Sequence, residues 1–461
     1  MSIHQPPLIS LMGRWSEFSA KQKLASIVII ALAVRFVCTV SLTHMGDSSA
    51  WPRIMASVES GNDIYGVMGN YYTPVWGYLL SFLDMMIQAV GAVPLFGDYF
   101  EGLLPLEGVR SYRPFVISPE MNMAIKFPLD VIDVAVGWML YRIVLGRTGD
   151  MSRALRAIAL WCFCPITIYM SSIQGQFDCI STALILGCIV LAGRNRPLLA
   201  GIVFGFAIWL KVFPAVCVLL LVAYLRSVRG REWAGGAVSA AVGALIVSAI
   251  LILPQIANGQ IDDAFVFLTD RQGTDFGSLY GAATSLRQIL VGLLLLALMV
   301  LTARRIWHMD RDEAGRAVYL CAGLLIAVAV MLNRGYQYAP SAIGFIILCM
   351  ETAPDRRGYS ASYWGLGLFS FAEAFVHAGF TLLCLSCAYY GLIDYDTFTS
   401  LSVSFAEDLP VHMIEGVLAL MWSIAVWLFI VLAAYDMLGR RGTRSGMLIE
   451  RLRAPLGRIP G

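Results

Sequence analysis

Apolar runs of near-span length recur along the chain, separated by short polar stretches. A hydrocarbon core about 30 Å thick takes about 20 residues of α-helix. The pattern predicts an all-α, polytopic transmembrane bundle of about 12 spans. These fall at about 24–44, 124–145, 156–173, 178–193, 197–212, 213–226, 234–254, 283–303, 315–332, 337–352, 363–389 and 411–434. Several are short for a full crossing, so their boundaries are loose.

The basic residues orient these spans. Of the 33 Lys and Arg, all but Arg35, Arg53, Arg110, Arg113, Lys126, Lys211, Arg271, Arg287 and Arg334 fall in seven segments. Those segments are the N-terminal tail, 142–156, 194–196, 226–231, 304–316, 356–357 and the tail from 440 to 458. Cytoplasmic loops carry the Lys/Arg excess, which places both termini in the cytoplasm. One apolar run, Val75–Val93, breaks the parity. If it crossed, the loop at 142–156 would face outward, against the charge rule. It is therefore read as a membrane-parallel helix within a long first external loop, 45–123. The alternative is a second crossing hidden in 94–123, a stretch holding Pro94, Asp98, Glu101, Glu107, Arg110 and Arg113.

Composition agrees. The chain is 58% hydrophobic and 14% charged, against about 45–50% and about 25% in soluble domains. The ten cysteines lie in or beside apolar runs without metal-ligand spacing or a disulfide framework, and read as small buried hydrophobes. No cleavable signal peptide stands out, since the first apolar run is long enough to span. No Asn-x-Ser/Thr site occurs, no phosphate-binding glycine loop or dinucleotide fingerprint is found, and nothing points to nucleic acid. No cofactor is implied by the residues, and a divalent-metal requirement stays open.

The chemistry gathers on the external side. Asp47 follows the first span and is a candidate general base, or else a solvated loop acid. Asp63 and Tyr65 lie in Gly61-Asn62-Asp63-Ile64-Tyr65, and Tyr72 in Tyr71-Tyr72-Thr73-Pro74; the aromatics also suit an interface belt. Lys126-Phe127-Pro128 precedes Asp130 and Asp133, which share a helix face. Gln174-Gly175-Gln176-Phe177-Asp178 forms a polar turn whose amides and acid can exchange hydrogen bonds with sugar hydroxyls. Lys211-Val212-Phe213-Pro214 offers a phosphate ligand or a snorkelling cation. Arg271 lies in a medium external loop, and Arg334, Gln337 and Tyr338 in another tight turn. Arg35, inside the first span, needs a partner or a wet cavity. Cations, amides, carboxylates and aromatics together suit a phosphorylated sugar. Nucleotide sugars are scarce outside the cytoplasm, which leaves a lipid-linked sugar phosphate as the natural donor.

In their order these motifs resemble the GT-C class of polytopic glycosyltransferases that use polyprenyl-phosphate sugars. The resemblance is to the branch that includes the GPI first mannosyltransferase and related bacterial enzymes. It rests on Asp47; Gly61 to Tyr65 with Tyr72-Thr73-Pro74; Lys126-Phe127-Pro128 with Asp130; Pro165 with Gln174 to Asp178; Gly201 to Pro214; and Arg334 to Tyr338. It covers about 24–345. It implies a catalytic membrane module over 24–345 with external loop 45–123, between a cytoplasmic tail, 1–23, and additional spans, 346–434, ending in a basic tail, 435–461. Relatives often carry a pair of acids where Gly46-Asp47-Ser48 offers one, His at the position of Arg334 and Glu at that of Gln337.

The expected function is sugar transfer, with mannose the expected sugar, from a polyprenyl-phosphate donor to a hydroxyl of a glycolipid or glycan acceptor. Inversion in a single displacement is expected, with Asp47 as base. Lys126, Gln174, Gln176, Asp178, Lys211, Arg271, Arg334, Gln337 and Tyr338 are expected on the donor side, and Asp63, Tyr65 and Tyr72 at the acceptor or loop. The expected location is a bacterial plasma membrane with an extracytoplasmic site, or the ER membrane with a lumenal site in a eukaryote. A secondary transporter of a small polar or anionic solute is the alternative, since buried charges and broken helices also mark transport sites.

Overall fold

The computed structural model describes residues 17–44, 50–61, 63–65, 72–91, 118–265, 279–333, 335–352, 357–378, 389–394, 397 and 410–438. Among them every regular element is helical. In chain order the helices are α1 (Ala20–Ser41), α2 (Ala50–Glu59), α3 (Pro74–Ala89), α4 (Pro119–Thr148), α5 (Met151–Cys162), α6 (Pro165–Ile168), α7 (Asp178–Gly193), α8 (Pro197–Leu210), α9 (Val218–Arg229), α10 (Trp233–Ala257), α11 (Leu279–Trp307), α12 (Arg311–Asn333), α13 (Ala339–Thr352), α14 (Arg357–Ala378) and α15 (Val411–Leu438).

Local chemistry sets several boundaries. Ser19 and Gln22 cap α1 reciprocally, each side chain on the other's backbone N–H. Ser118 caps α4 ahead of Pro119, and Gly149, at φ 66°, ends it in the left-handed region. Asp150 then accepts from the N–H groups of Ser152 and Arg153 and starts α5. Pro165 cannot donate to a continuing helix, so the chain breaks after Cys162 and bends by 50°. It resumes as α6 and a π-helical turn, Tyr169–Ile173.

Among the described residues, five helical runs are long and apolar enough to cross a membrane: Ala20–Ser41, Phe213–Ala257, Ser285–Trp307, Arg311–Leu332 and Val411–Leu438; the bent pair would make a sixth. The expected twelve spans go beyond this. The remaining expected stretches also fall on helices, that of 363–389 as far as the described residues reach, but α4 carries Lys126, Asp130 and Asp133, and α7 and α8 have only 16 and 14 residues.

The molecule is apolar outside and charged inside. Leu245, Ile250, Leu293, Leu296, Leu420 and Val431 are exposed, whereas Arg35, Lys126, Asp130, Asp133 and Asp178 are buried. Water would reward the opposite distribution, and a lipid surround rewards this one. Buried α12 is the central helix, contacting α9, α11, α13 and α15. Helices α8 and α10 approach closely through Gly201, Gly205 and Gly243. A Cβ on Gly201 would run into the backbone of Ala240, and one on Gly243 into that of Leu198. This small-residue contact suits helices that lack a hydrophobic drive to associate.

The loops sort to two ends. At one, Arg147 reaches the backbone of Gly315 and Arg316, Arg311 that of Gly193, and Arg229 the side chain of Asn195. Arg156 pairs there with Glu351 at 2.7 Å. At the other end lie the turns around 44, 174–178, 211–214 and 335–338. Both ends of α3 stay near that second end. Tyr72, just before it, meets Gln176 at 3.4 Å. Its Gln88 bonds to Glu59, and nearby Asp63 accepts from Asn258 beyond α10.

Candidate active site

Two buried charge clusters cross the bundle near this polar end. The deeper one resolves the intramembrane arginine. Arg35 of α1 pairs with Asp133 of α4 through its Nε at 2.9 Å and through a second guanidinium nitrogen. Its Nη1 donates to Cys162 O at 2.7 Å. One turn away, Asp130 accepts from Thr39 at 2.7 Å and from Ser172 at 2.6 Å. Arg35 thus has its expected partner, and the two acids of α4 share the face that their spacing implies.

Lys126 tops this cluster. Its ammonium donates to Ile173 O at 2.6 Å, Thr43 Oγ1 at 3.0 Å and Leu42 O at 3.3 Å. An ammonium has three donors, and here they clamp the end of α1 to the π turn. Asn122 supports it by donating to Thr39 O, and His44 N–H donates to Ile173 O at 3.1 Å. Gly175 is required beneath: its φ is +69°, and a Cβ there would press on the Lys126 stem at 3.2 Å.

The second cluster lies in the adjoining turns. Lys211, just past α8, donates to both carboxylate oxygens of Asp178 at 2.7 Å. Its Nζ also sits 5.0 Å from the ring centre of Phe177 and 4.7 Å from that of Tyr338. A cation over two aromatic faces gains cation–π attraction in addition to the ion pair. The expected phosphate and sugar ligands are therefore coupled to each other, on a shared aromatic base. Gln176 lies beside them, its amide donating to the Tyr72 hydroxyl. Gln174 is buried in the same turn, and Gln337 is half-buried next to Tyr338.

An aromatic wall rises over this turn. Phe177 stacks on Trp76 with ring centres 4.6 Å apart, and Trp51 and Tyr72 close around it at 6.2 and 5.2 Å. Trp51 donates to Gly175 O at 3.0 Å. Trp51, Tyr72 and Trp76 are buried, so they build the site's edge instead of an interface belt. Among the described residues, the buried Trp76 Nε1 and Thr73 Oγ1 have no hydrogen-bond partner. Asp63 and Tyr65 tie their own loop together, and Asp63 also reaches Asn258 beyond α10. Asp63 accepts from Tyr65 N–H at 3.1 Å, and Tyr65 donates its hydroxyl to Tyr72 O at 3.1 Å. Burial pushes the Tyr65 phenol well above its usual range. Asp47, Arg271 and Arg334 lie outside the described residues.

One cluster escaped the reading of the sequence. His377, near the end of α14, meets Glu415 of α15 at 2.9 Å, and His412 meets the other oxygen at 3.4 Å. The His377 ring lies nearly parallel to that of His44, with centres 5.9 Å apart, and 6.0 Å from Tyr336. His377, His412 and Glu415 lie beyond the stretch that carries the resemblance, so no local motif announces them. Among the described residues no three His, Cys, Asp or Glu side chains converge as a metal site.

The turn of Gln174 to Asp178, Lys211 and Tyr338 thus share one polar end of a lipid-adapted bundle, and comparison with known proteins places that arrangement. Residues 122–350 match glycosyltransferase family 87. Over 108 residues the chain is also 30% identical to GPI mannosyltransferase 1 of Eremothecium gossypii, covering 23% of this chain and 26% of that protein. The match therefore spans about a quarter of that relative's length. Both findings support the resemblance to membrane glycosyltransferases near the GPI mannosyltransferase branch, and with the apolar helices they support an integral membrane protein. The family 87 segment contains α4 to α13 and the Lys126, Gln174, Gln176, Asp178, Lys211 and Tyr338 positions. Arg35, His44, the Trp51–Tyr72–Trp76 wall and His377 come from outside it.

Proposed function

We propose that the protein is a membrane glycosyltransferase that moves mannose from a polyprenyl-phosphate donor to an acceptor hydroxyl on the extracytoplasmic face, with inversion. The observation that carries the reading is the convergence of Gln176, Asp178, Lys211 and Tyr338 beneath an aromatic wall, inside the family 87 segment. The aromatic faces suit the apolar face of a sugar ring. Gln174, Gln176, and the partnerless Trp76 Nε1 and Thr73 Oγ1 suit its hydroxyls.

In the proposed step the acceptor oxygen attacks the anomeric carbon, and the bond from that carbon to the phosphate oxygen breaks. The hydroxyl proton passes to the Asp47 carboxylate. The lipid phosphate leaves as an anion, so no strong general acid is needed. Lys211, held by Asp178, and the basic side chains Arg271 and Arg334 supply positive charge where negative charge develops. Catalysis rests on positioning and electrostatics. Lys126 contributes by fixing Leu42 and Thr43, which lead into the Asp47 segment.

The test is incubation of the purified protein in lipid nanodiscs with polyprenyl-phosphate mannose and a mannoside acceptor. Product of inverted anomeric configuration supports the reading; retained configuration rejects the single displacement. The bend of 50° between α5 and α6 favours a second reading, a transporter, because broken helices line transport sites. Uptake of a solute into vesicles without turnover of the donor would support it.

A further inference from the structure

The helices beyond the family 87 segment bring a second polar group to the same end. His377 and Glu415 meet at 2.9 Å across α14 and α15. Besides Glu415, the ring of His377 has two neighbours, His44 and Tyr336, whose segments also build the site. His44 is tied through its N–H to Ile173 O, next to Gln174. Tyr336 shares its helical turn with Tyr338, whose ring lies under Lys211. Tyr169, at the start of the π turn, donates to Ala374 O at 2.9 Å, one turn before His377. The C-terminal helices are therefore anchored on both loops of the site.

The charges of the two sides differ. The Lys211 side carries a cation suited to a phosphate. The His377 side carries the Glu415 carboxylate with three imidazoles, His377, His412 and His44, and Glu373 lies one turn back on α14, bonded to Trp422. His377 uses Nδ1 in its hydrogen bond to Glu415, which leaves Nε2 as the ring nitrogen that can meet a hydroxyl. A ring nitrogen there can exchange a hydrogen bond with a hydroxyl, and the neighbouring carboxylate disfavours an anion. Side-chain exposure of 27% for His377 and 15% for Glu415 leaves both reachable.

We propose that His377 and Glu415 form the acceptor subsite and select a neutral, hydroxyl-rich glycan over an anionic acceptor. This rests on the glycosyltransferase reading and adds to it the chemical class of the acceptor. His377 exchanges a hydrogen bond with a hydroxyl, and Glu415 fixes the ring.

The experiment uses the full-length protein in nanodiscs with polyprenyl-phosphate mannose, and compares octyl mannoside with octyl phosphate as acceptors. His377→Phe keeps the ring against His44 and Tyr336 but removes its hydrogen bonds. Glu415→Gln keeps the volume and carries the test if His377→Phe does not fold. The expected result is an octyl mannoside KM about tenfold or more above wild type in either variant, with the donor KM within about twofold. The wild type is expected to use octyl mannoside and not octyl phosphate. An unchanged acceptor KM, a donor KM that moves in parallel, or a preference for octyl phosphate overturns the proposal while glycosyl transfer stands. A wild type that neither transfers nor hydrolyses the donor overturns both, and is told apart by that loss of all turnover.

Discussion

Two ion pairs lie buried in the same bundle, and they are built for different work. Arg35–Asp133 is sealed: both side chains are essentially inaccessible, and the Cys162 carbonyl and the Ser171 hydroxyl add further hydrogen bonds to them. Lys211–Asp178 lies where three loops meet, and aromatic faces instead of backbone carbonyls surround the ammonium. An intramembrane charge is therefore not in itself a sign of a site. What separates the two is what saturates the charge. Backbone groups that saturate it make a joint between helices. At Lys211 the ammonium is also buried, but its neighbours beyond Asp178 are the rings of Phe177 and Tyr338.

The largest expected effect comes from unbalancing the sealed pair. Arg35→Met leaves Asp133 buried without its cation and is expected to cost about 3–5 kcal/mol. Pairing it with Asp133→Leu should recover most of that loss, and thermal unfolding in detergent checks both. At Lys211–Asp178 the same design is expected to give a different answer. Lys211→Met should lower turnover by about a hundredfold or more, and adding Asp178→Leu should restore stability without restoring turnover. Recovery of turnover in that double variant would place Lys211–Asp178 with the structural joints. Next in size is Gly175→Ala, which combines the left-handed backbone with a 3.2 Å approach to Lys126. It is expected to cost about 1–2 kcal/mol and to lower turnover, whereas Gly146→Ala, with open space around it, should do neither.

The smallest effect concerns pH at the edge of the site. Asp84 on α3 is pushed up to about 6 by burial and by the nearby Glu59. A carboxyl raised in the folded state favours the protonated form there, so its contribution to stability is present at low pH and is lost as pH rises through about 6. Asp84→Asn should therefore raise the unfolding temperature at pH 7.5 and leave it unchanged at pH 4. An equal shift at both pH values would contradict this assignment.

Legibility in the sequence followed the range of the interactions. The helices of the bundle, the paired acids of α4 and the need of Arg35 for a partner were readable because they depend on runs and on spacing within a helix. The turn from Gln174 to Asp178 was readable because its polar residues are contiguous between apolar runs. The saturation of Lys126 was not, since Leu42, Thr43 and Ile173 present ordinary carbonyls and a hydroxyl from distant segments. The pairing of Lys211 with Asp178 depends on α7 and α8 folding side by side. His377 and Glu415 are single polar residues 38 positions apart, in helices without a local motif, and only the tertiary fold shows that they face His44. The number of crossings is not fixed by length and composition, because α4 is polar and α7 and α8 are short although they follow the hydrophobic rhythm.

The most direct test of glycosyl transfer at the polar end is sugar transfer from polyprenyl-phosphate mannose by the wild type and by Asp47→Asn, purified in lipid. The predicted result is transfer by the wild type and none by an equally folded Asp47→Asn. Equal transfer by both would contradict Asp47 as the base. No use of the donor by either protein, with solute uptake by wild-type vesicles, would contradict glycosyl transfer itself.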